Sequence, residues 1–250
     1  MIIGHPGHEL RVHHWLETAK PQVVVITDGS GLNCQPRTAS TLKVFQSAGA
    51  TPGPVVGRFT DTALYELMLS KETAVAVNLM QEVADWLTAG EFEVVAGDAL
   101  EGTESSHDFT RYLIGAACER VRRQTGRHIA NYDFLLDGSP AECPAELRAS
   151  AICLRLDDAA LERKLAAAYG YRELQQEVEY ALKQFGKTMF ATEWLRPIAN
   201  EMGMNPATSA VPYYETYGEK QKAAGRFHHV IRYREHILPL AQAMWRAAVS

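Results

Sequence analysis

Through its first hundred-odd residues the chain alternates short β-branched runs with longer segments of helical period, the signature of βαβ units on a parallel sheet. Met1-Ile2-Ile3-Gly4 reads as a clipped first strand. From Glu9 to Lys20 the apolar positions Leu10, Val12, Trp15, Leu16 and Ala19 recur close to helical period, and Pro21 stops the helix. Val23–Thr27 is an almost unbroken apolar run, as a central parallel strand buried on both faces requires. Arg37–Ala48 follows as a helix ended by Gly49, Val55-Val56 as a third strand, and Thr62–Ser70 and Lys71–Ala89 as helices. Phe92–Ala96 reads as a fourth strand. Asp108–Gln124 is a helix with Leu113, Ile114, Ala117 and Val121 on one stripe, and Ile129–Leu136 is a fifth strand interrupted by Asn131 and Asp133.

The character changes after Pro140. Asp157–Tyr169 and Tyr171–Phe185 are helical patterns, the first opened by Asp157 or Asp158 and closed by Gly170. A connector, Pro197–Pro212, leads to an aromatic stretch over 212–218 and a final helix from Val230 to Ala248. The expected architecture is α/β: a doubly wound, mainly parallel sheet with helices on both faces over residues 1–140, and a mostly helical extension, 141–250, packed on it.

Composition narrows the functional classes. At 250 residues, 46% hydrophobic and 22% charged, the chain buries roughly 70–75% of its unfolded surface, so it supports its own core. With 25 Lys and Arg against 30 Asp and Glu, its net charge of −5 gives no sequence-wide attraction to nucleic acid or anionic membrane. No apolar run reaches the ~18 residues of a membrane span, and no signal peptide opens the chain. Cys34, Cys118, Cys143 and Cys153 form no CxxC pair and read as reduced thiols of a cytoplasmic protein. No GxSxG elbow, Walker A loop or HExxH helix occurs, and Gly29-Ser30-Gly31 is only a fragment of a dinucleotide fingerprint.

The polar residues have a pattern of their own. In open parallel sheets ligands bind beyond the carboxyl ends of the strands, where the βα loops gather. Every expected strand empties into polar residues there: His5, Gly7, His8 and Glu9 after the first, Thr27 to Gly31 after the second, Arg58 and Asp61 after the third, and Asp98, Glu101, Glu104 and His107 after the fourth. With a strand order of 3-2-1-4-5 those loops are neighbours. Four of the nine histidines lie in the first fourteen residues. His5 and His8, three residues apart, together with distant His107 have the chemistry of a metal site, since neutral imidazole suits zinc, iron, nickel and copper. His13 and His14 read as helix-surface residues.

His5-Pro6-Gly7-His8-Glu9 after an apolar strand resembles the His-Pro-Asp-Asp-Glu signature of the PIG-L/LmbE-like N-acetylglucosaminyl deacetylases. Thr27-Asp28-Gly29, Arg37, Phe59-Thr60-Asp61 and His107 extend the likeness over residues 1–136. The resemblance implies a Rossmann-like zinc hydrolase that removes an acetyl group from an amino sugar. It implies His5, His8 and His107 as the metal ligands, His8 standing where the family has an Asp. Gly7 occupies the position of the family's catalytic Asp, and Ser40 and Glu104 depart from the family's Glu and His.

Three readings follow. A hydrolase would use a three-His zinc site to acidify its water, with Glu104, then Glu101 and Asp28, as the proton-moving carboxylates, and Arg37 or Arg58 holding an anionic group of a small-molecule substrate. An oxidative enzyme would hold Fe or Cu on the same three histidines. A non-catalytic protein would use the aromatic segment from Tyr213 to Tyr217 and the Phe227-His228-His229 run as a binding or homo-oligomer surface. The metal-dependent hydrolase is the leading expectation.

Overall fold

A computed structural model of the chain describes residues 1–31, 34–198 and 211–250. Its strands are β1 (Ile2–Ile3), β2 (Gln22–Thr27), β3 (Thr51–Phe59), β4 (Val94–Asp98), β5 (Ala130–Phe134), β6 (Ile152–Arg155) and β7 (Thr192–Pro197). They form a mixed, mostly parallel sheet in the order β3-β2-β1-β4-β5-β7-β6. The helices are α1 (His13–Ala19), α2 (Thr38–Ala48), α3 (Asp61–Ser70), α4 (Thr73–Ala89), α5 (Ser105–Thr125), α6 (Asp158–Gly170), α7 (Gln175–Phe185), α8 (Tyr213–Ala223) and α9 (Leu238–Val249). This is the expected Rossmann-like α/β class, including the 3-2-1-4-5 order and a helical C-terminal portion. Among the described residues no helix is long and apolar enough to cross a membrane.

The chain divides into two compact units, and each contains an early and a late stretch. The first is Met1–Asp61 with Tyr132–Pro197; the second is Thr62–Asn131 with Ile198–Ser250.

In the first unit β1, β2 and β3 run parallel, with Ile2 opposite Val24 and Val25 opposite Val56. Val23 to Ile26 are fully buried, which explains the unbroken apolar run, each such side chain being worth roughly 1.5–3 kcal/mol on burial. The late stretch adds β6 and β7, antiparallel to each other and, through β7, to β5. These two strands lie where the periodicity shows only helices. Strand β7 hides from a pattern reading because it buries a charge, Glu193, whose partner Lys164 lies on α6. Helix α6 is capped as expected, Asp157 Oδ1 accepting from Ala160 N at 2.8 Å. The helix expected over 171–185 instead opens with a 3-10 turn, Arg172–Leu174, before α7. Leu161, Leu165 and Phe190 form a local core against Leu182 and Phe185.

In the second unit α4, α5 and α9 pack together through apolar stripes that include Leu79, Val83, Leu113, Ile114, Leu240 and Met244, all buried. The last helix starts later than the pattern suggests, because Tyr233–Ile237 form a π-helical turn ahead of α9. The 197–212 connector falls largely outside the described residues.

Candidate functional site

The carboxyl ends of β1, β2 and β3 bring His5, Thr27 and Asp61 together. His5, 8% exposed, has its Nδ1 2.9 Å from Asp61 Oδ1 and 2.8 Å from Thr27 Oγ1. The second Asp61 oxygen accepts from Gly31 N at 2.7 Å. Burial opposes ionisation of Asp61, but the His5 hydrogen bond and charge, the Thr27 hydroxyl and the Gly31 N–H outweigh it and hold the carboxyl well below the usual range. When the ring is neutral, an ionised Asp61 favours the proton on Nδ1 and so leaves the lone pair on Nε2, the arrangement that carboxylates impose on metal-ligating histidines.

Gly7 carries the chain through φ 106°, a conformation that strains any residue with a β-carbon. A β-carbon there would lie 2.2 Å from Leu174 Cδ1, so an aliphatic side chain from the 3-10 turn lies against the glycine. Beyond the turn the His8 ring meets the His5 ring edge-on, with centres 5.3 Å apart at 68°. Two imidazoles on a tetrahedral zinc with Zn–N of about 2.0–2.1 Å have ring centres about 5 Å apart. The spacing of the His5 and His8 rings is of that order.

Glu9 is fully buried beneath the turn, accepting from Gly7 N at 2.8 Å and from Thr41 Oγ1 at 2.7 Å. Burial pushes its carboxyl up to about 7, against the pull of the Thr41 hydroxyl, backbone N–H groups and the Arg37 charge. The Tyr171 hydroxyl closes the network, 2.8 Å from Thr41 Oγ1 and donating to Arg37 O at 3.1 Å. Glu9 is a clamp on the turn.

The other expected residues divide between the two units. In the first, Asp28 closes its own turn, Oδ1 accepting from Ser30 N at 2.9 Å. Arg37 precedes α2 and lays its guanidinium against Gly29; its Nε is buried with no hydrogen-bond partner among the described residues. Arg58 is exposed near the end of β3. His13, at the start of α1, is buried at 3% exposure, a structural position rather than a solvent-facing one. His14 is half-buried with Nδ1 3.3 Å from Glu17.

In the second unit Glu101 is half-buried in the loop after β4, and Glu104 stands at the N-terminal boundary of α5, exposed, accepting from Tyr65 Oη at 3.2 Å. His107 lies in the first turn of α5 at 7% exposure. Its neighbour Asp108 is 3% exposed and accepts from Gly102 N at 3.1 Å. Burial, reinforced by Glu101 and Glu104, pushes the Asp108 carboxyl up to about 7 despite backbone N–H donors.

Among the described residues no three His, Cys, Asp or Glu side chains form a ready cluster for a metal ion. Sequence reasoning gave no role to Asp61, Thr27, Asp108 or Leu174. Asp61 and Thr27 had a signal, as members of Phe59-Thr60-Asp61 and Thr27-Asp28-Gly29. No protein family, curated protein or solved structure matches the chain.

Proposed function

We propose that this chain is a divergent, cytoplasmic PIG-L/LmbE-like hydrolase that uses a metal to cleave the amide of a small polar metabolite or amino sugar. The observation that carries the reading is the Asp61–His5 pair beside His8: a histidine whose Nδ1 is committed to a carboxylate keeps its Nε2 lone pair for an electrophile. His5 and His8 would hold the ion, and the sequence names His107 as the third donor. Zinc, when bound, supplies Lewis-acid polarisation of a carbonyl and a lowered pKa for water.

The chain's own residues divide the remaining work. Asp61 and Thr27 orient His5 and hold its proton on Nδ1. Position 7 has no carboxylate to take a proton and Leu174 lies against it; the carboxylates that the sequence offers for proton transfer are Glu104, then Glu101 and Asp28. The exposed carboxylate of Glu104, held by the Tyr65 hydroxyl, exchanges protons with solvent. Arg37 offers its unpartnered Nε–H to an anionic or carbonyl group of the substrate.

Elemental analysis of protein purified without chelator tests the reading. It expects about one zinc per chain, lost in His5→Ala and in His107→Ala, and acetate release from a panel of N-acetyl sugars and small amides that falls with it. Metal-free wild-type protein, or turnover untouched by His5→Ala, overturns it. Activity restored by Fe(II) but not Zn(II), with oxygen consumed, overturns the hydrolase in favour of an oxidative enzyme.

A further inference from the structure

The acidic balance of the whole chain conceals a basic, aromatic protrusion in the second unit. From Lys220 to His229 the sequence carries Lys220, Lys222, Arg226, His228 and His229 and no acidic residue. Residues 222–229, the end of α8 and the turn after it, are exposed without a break. Lys220 and Lys222 have no ion-pair partner among the described residues, whereas Arg232 further on is neutralised by Glu219 and Glu235. Beside the cations stand three rings that a water-facing helix does not need: Tyr213 at 58% exposure, Tyr217 at 42% and Phe227 at 37%, with Val211 at 59%. Tyr213 and Tyr217 stack at 5.8 Å and 27°, and Phe227 meets Tyr217 edge-on at 6.2 Å.

The segment folds back on itself. Arg226 N and Ala224 N donate back to Gln221 O and Lys220 O. The returning chain seats Val230 so close to Gly218 that a β-carbon at 218 would lie 2.8 Å from Val230 Cγ1. Tyr214 and Val230 are buried below, so the exposed rings are held up from underneath.

From this geometry we propose that the 213–229 protrusion is a docking surface for an anionic lipid bilayer. Positive charge selects an anionic partner, and the rings select between candidates. Single-stranded nucleic acid is bound by ring faces left open for stacking, whereas Tyr213 and Tyr217 turn one face to each other and Phe227 meets Tyr217 edge-on. Amphipathic rings and an apolar tip beside lysines and arginines are what the headgroup layer accepts. Phe227, between Arg226 and His228, enters the interface while the cations stay at the phosphates. A surface contact needs no membrane-spanning helix, and it stands independently of the hydrolase reading.

Flotation of the full-length protein with vesicles of phosphatidylcholine alone and with 30% phosphatidylserine tests the surface. Binding is expected only to the anionic vesicles and is released by 0.5 M salt. Each cation removed weakens it about fivefold, so the combined Lys220→Gln, Lys222→Gln and Arg226→Gln variant, which keeps all three rings, loses on the order of 100-fold. Phe227→Ala weakens binding at unchanged charge. Binding indifferent to phosphatidylserine, no binding at all, or a charge variant that floats like wild type overturns the proposal. So does tight binding of a single-stranded oligonucleotide that displaces the vesicles.

Discussion

Leu174 occupies the volume that any side chain at Gly7 would need: its Cδ1 lies 2.2 Å from the position of a β-carbon there, with Tyr171 Cζ at 3.8 Å. The turn between His5 and His8 is thus shaped by a residue from the far end of the chain. Two separate costs oppose a larger residue. The φ of 106° strains a β-carbon by roughly 1–2 kcal/mol, and crowding against Leu174 adds about 1–3 kcal/mol. Gly7→Ala is expected to destabilise the protein by about 2–5 kcal/mol in urea denaturation. Leu174→Ala relieves only the crowding, so in that background Gly7→Ala still costs about 1–2 kcal/mol. An unchanged cost in the double variant would mean that Leu174 is not the obstacle.

Asp61 reaches the imidazole of His5 directly, while its other oxygen holds Gly31 N. Removing its charge while keeping its shape should leave the fold intact and weaken the control of the imidazole. For Asp61→Asn the expectation is a 10–100-fold lower zinc affinity, measured by competition with a chromophoric chelator, with an unchanged circular dichroism spectrum. A variant that binds zinc as wild type does would show that the carboxylate does not tune His5.

The legible parts of this molecule are those built from neighbours in sequence. The run Val23–Thr27 announced a buried parallel strand, and Asp157 announced the start of α6. Pairing between distant residues left no trace in spacing. Asp61 reads as a loop residue until it is found across 56 positions from His5, and Gly7 reads as a simple turn until Leu174 is found against it. Strand β7 was hidden for a related reason: a buried Glu193 breaks the apolar alternation by which a strand is recognised, and only the ammonium of Lys164 makes that burial tolerable.

That ion pair makes a prediction of its own. Lys164 Nζ lies 2.8 Å from Glu193 Oε1 and donates to Arg11 O at 2.7 Å, while the Glu193 carboxylate accepts His14 N and Trp15 N at the start of α1. Both side chains are shut off from water, at 3% and 0% exposure. Lys164→Met leaves a carboxylate buried with two N–H donors and no cation, which should cost about 3–5 kcal/mol. The double variant Lys164→Met, Glu193→Gln removes the stranded charge and keeps an oxygen for those donors, so it should recover part of the loss. A double variant less stable than Lys164→Met would refute this account of the pair.

Acid should destabilise the fold through two buried histidines, one in each unit. Burial lowers the pKa of His13, whose Nδ1 has no partner among the described residues, and of His236, whose Nδ1 accepts from Arg232 N at 2.9 Å. Both rings are neutral in the fold and protonate near 6.5 when it unfolds. The unfolded chain therefore binds more protons below that pH, and stability falls as pH drops from about 6.5 toward the depressed folded values. Glu9 and Asp108 pull the other way: raised to about 7 in the fold, they bind protons there that the unfolded chain has released, and so favour the fold as pH falls from about 7 toward 4. The wild-type profile is the sum, so the informative quantity is the difference between wild type and a variant. His13→Gln should be less sensitive than wild type to lowering the pH from 7 to 5 in urea midpoints, and His236→Gln likewise. Parallel wild-type and variant profiles over that range would show that neither imidazole is held neutral.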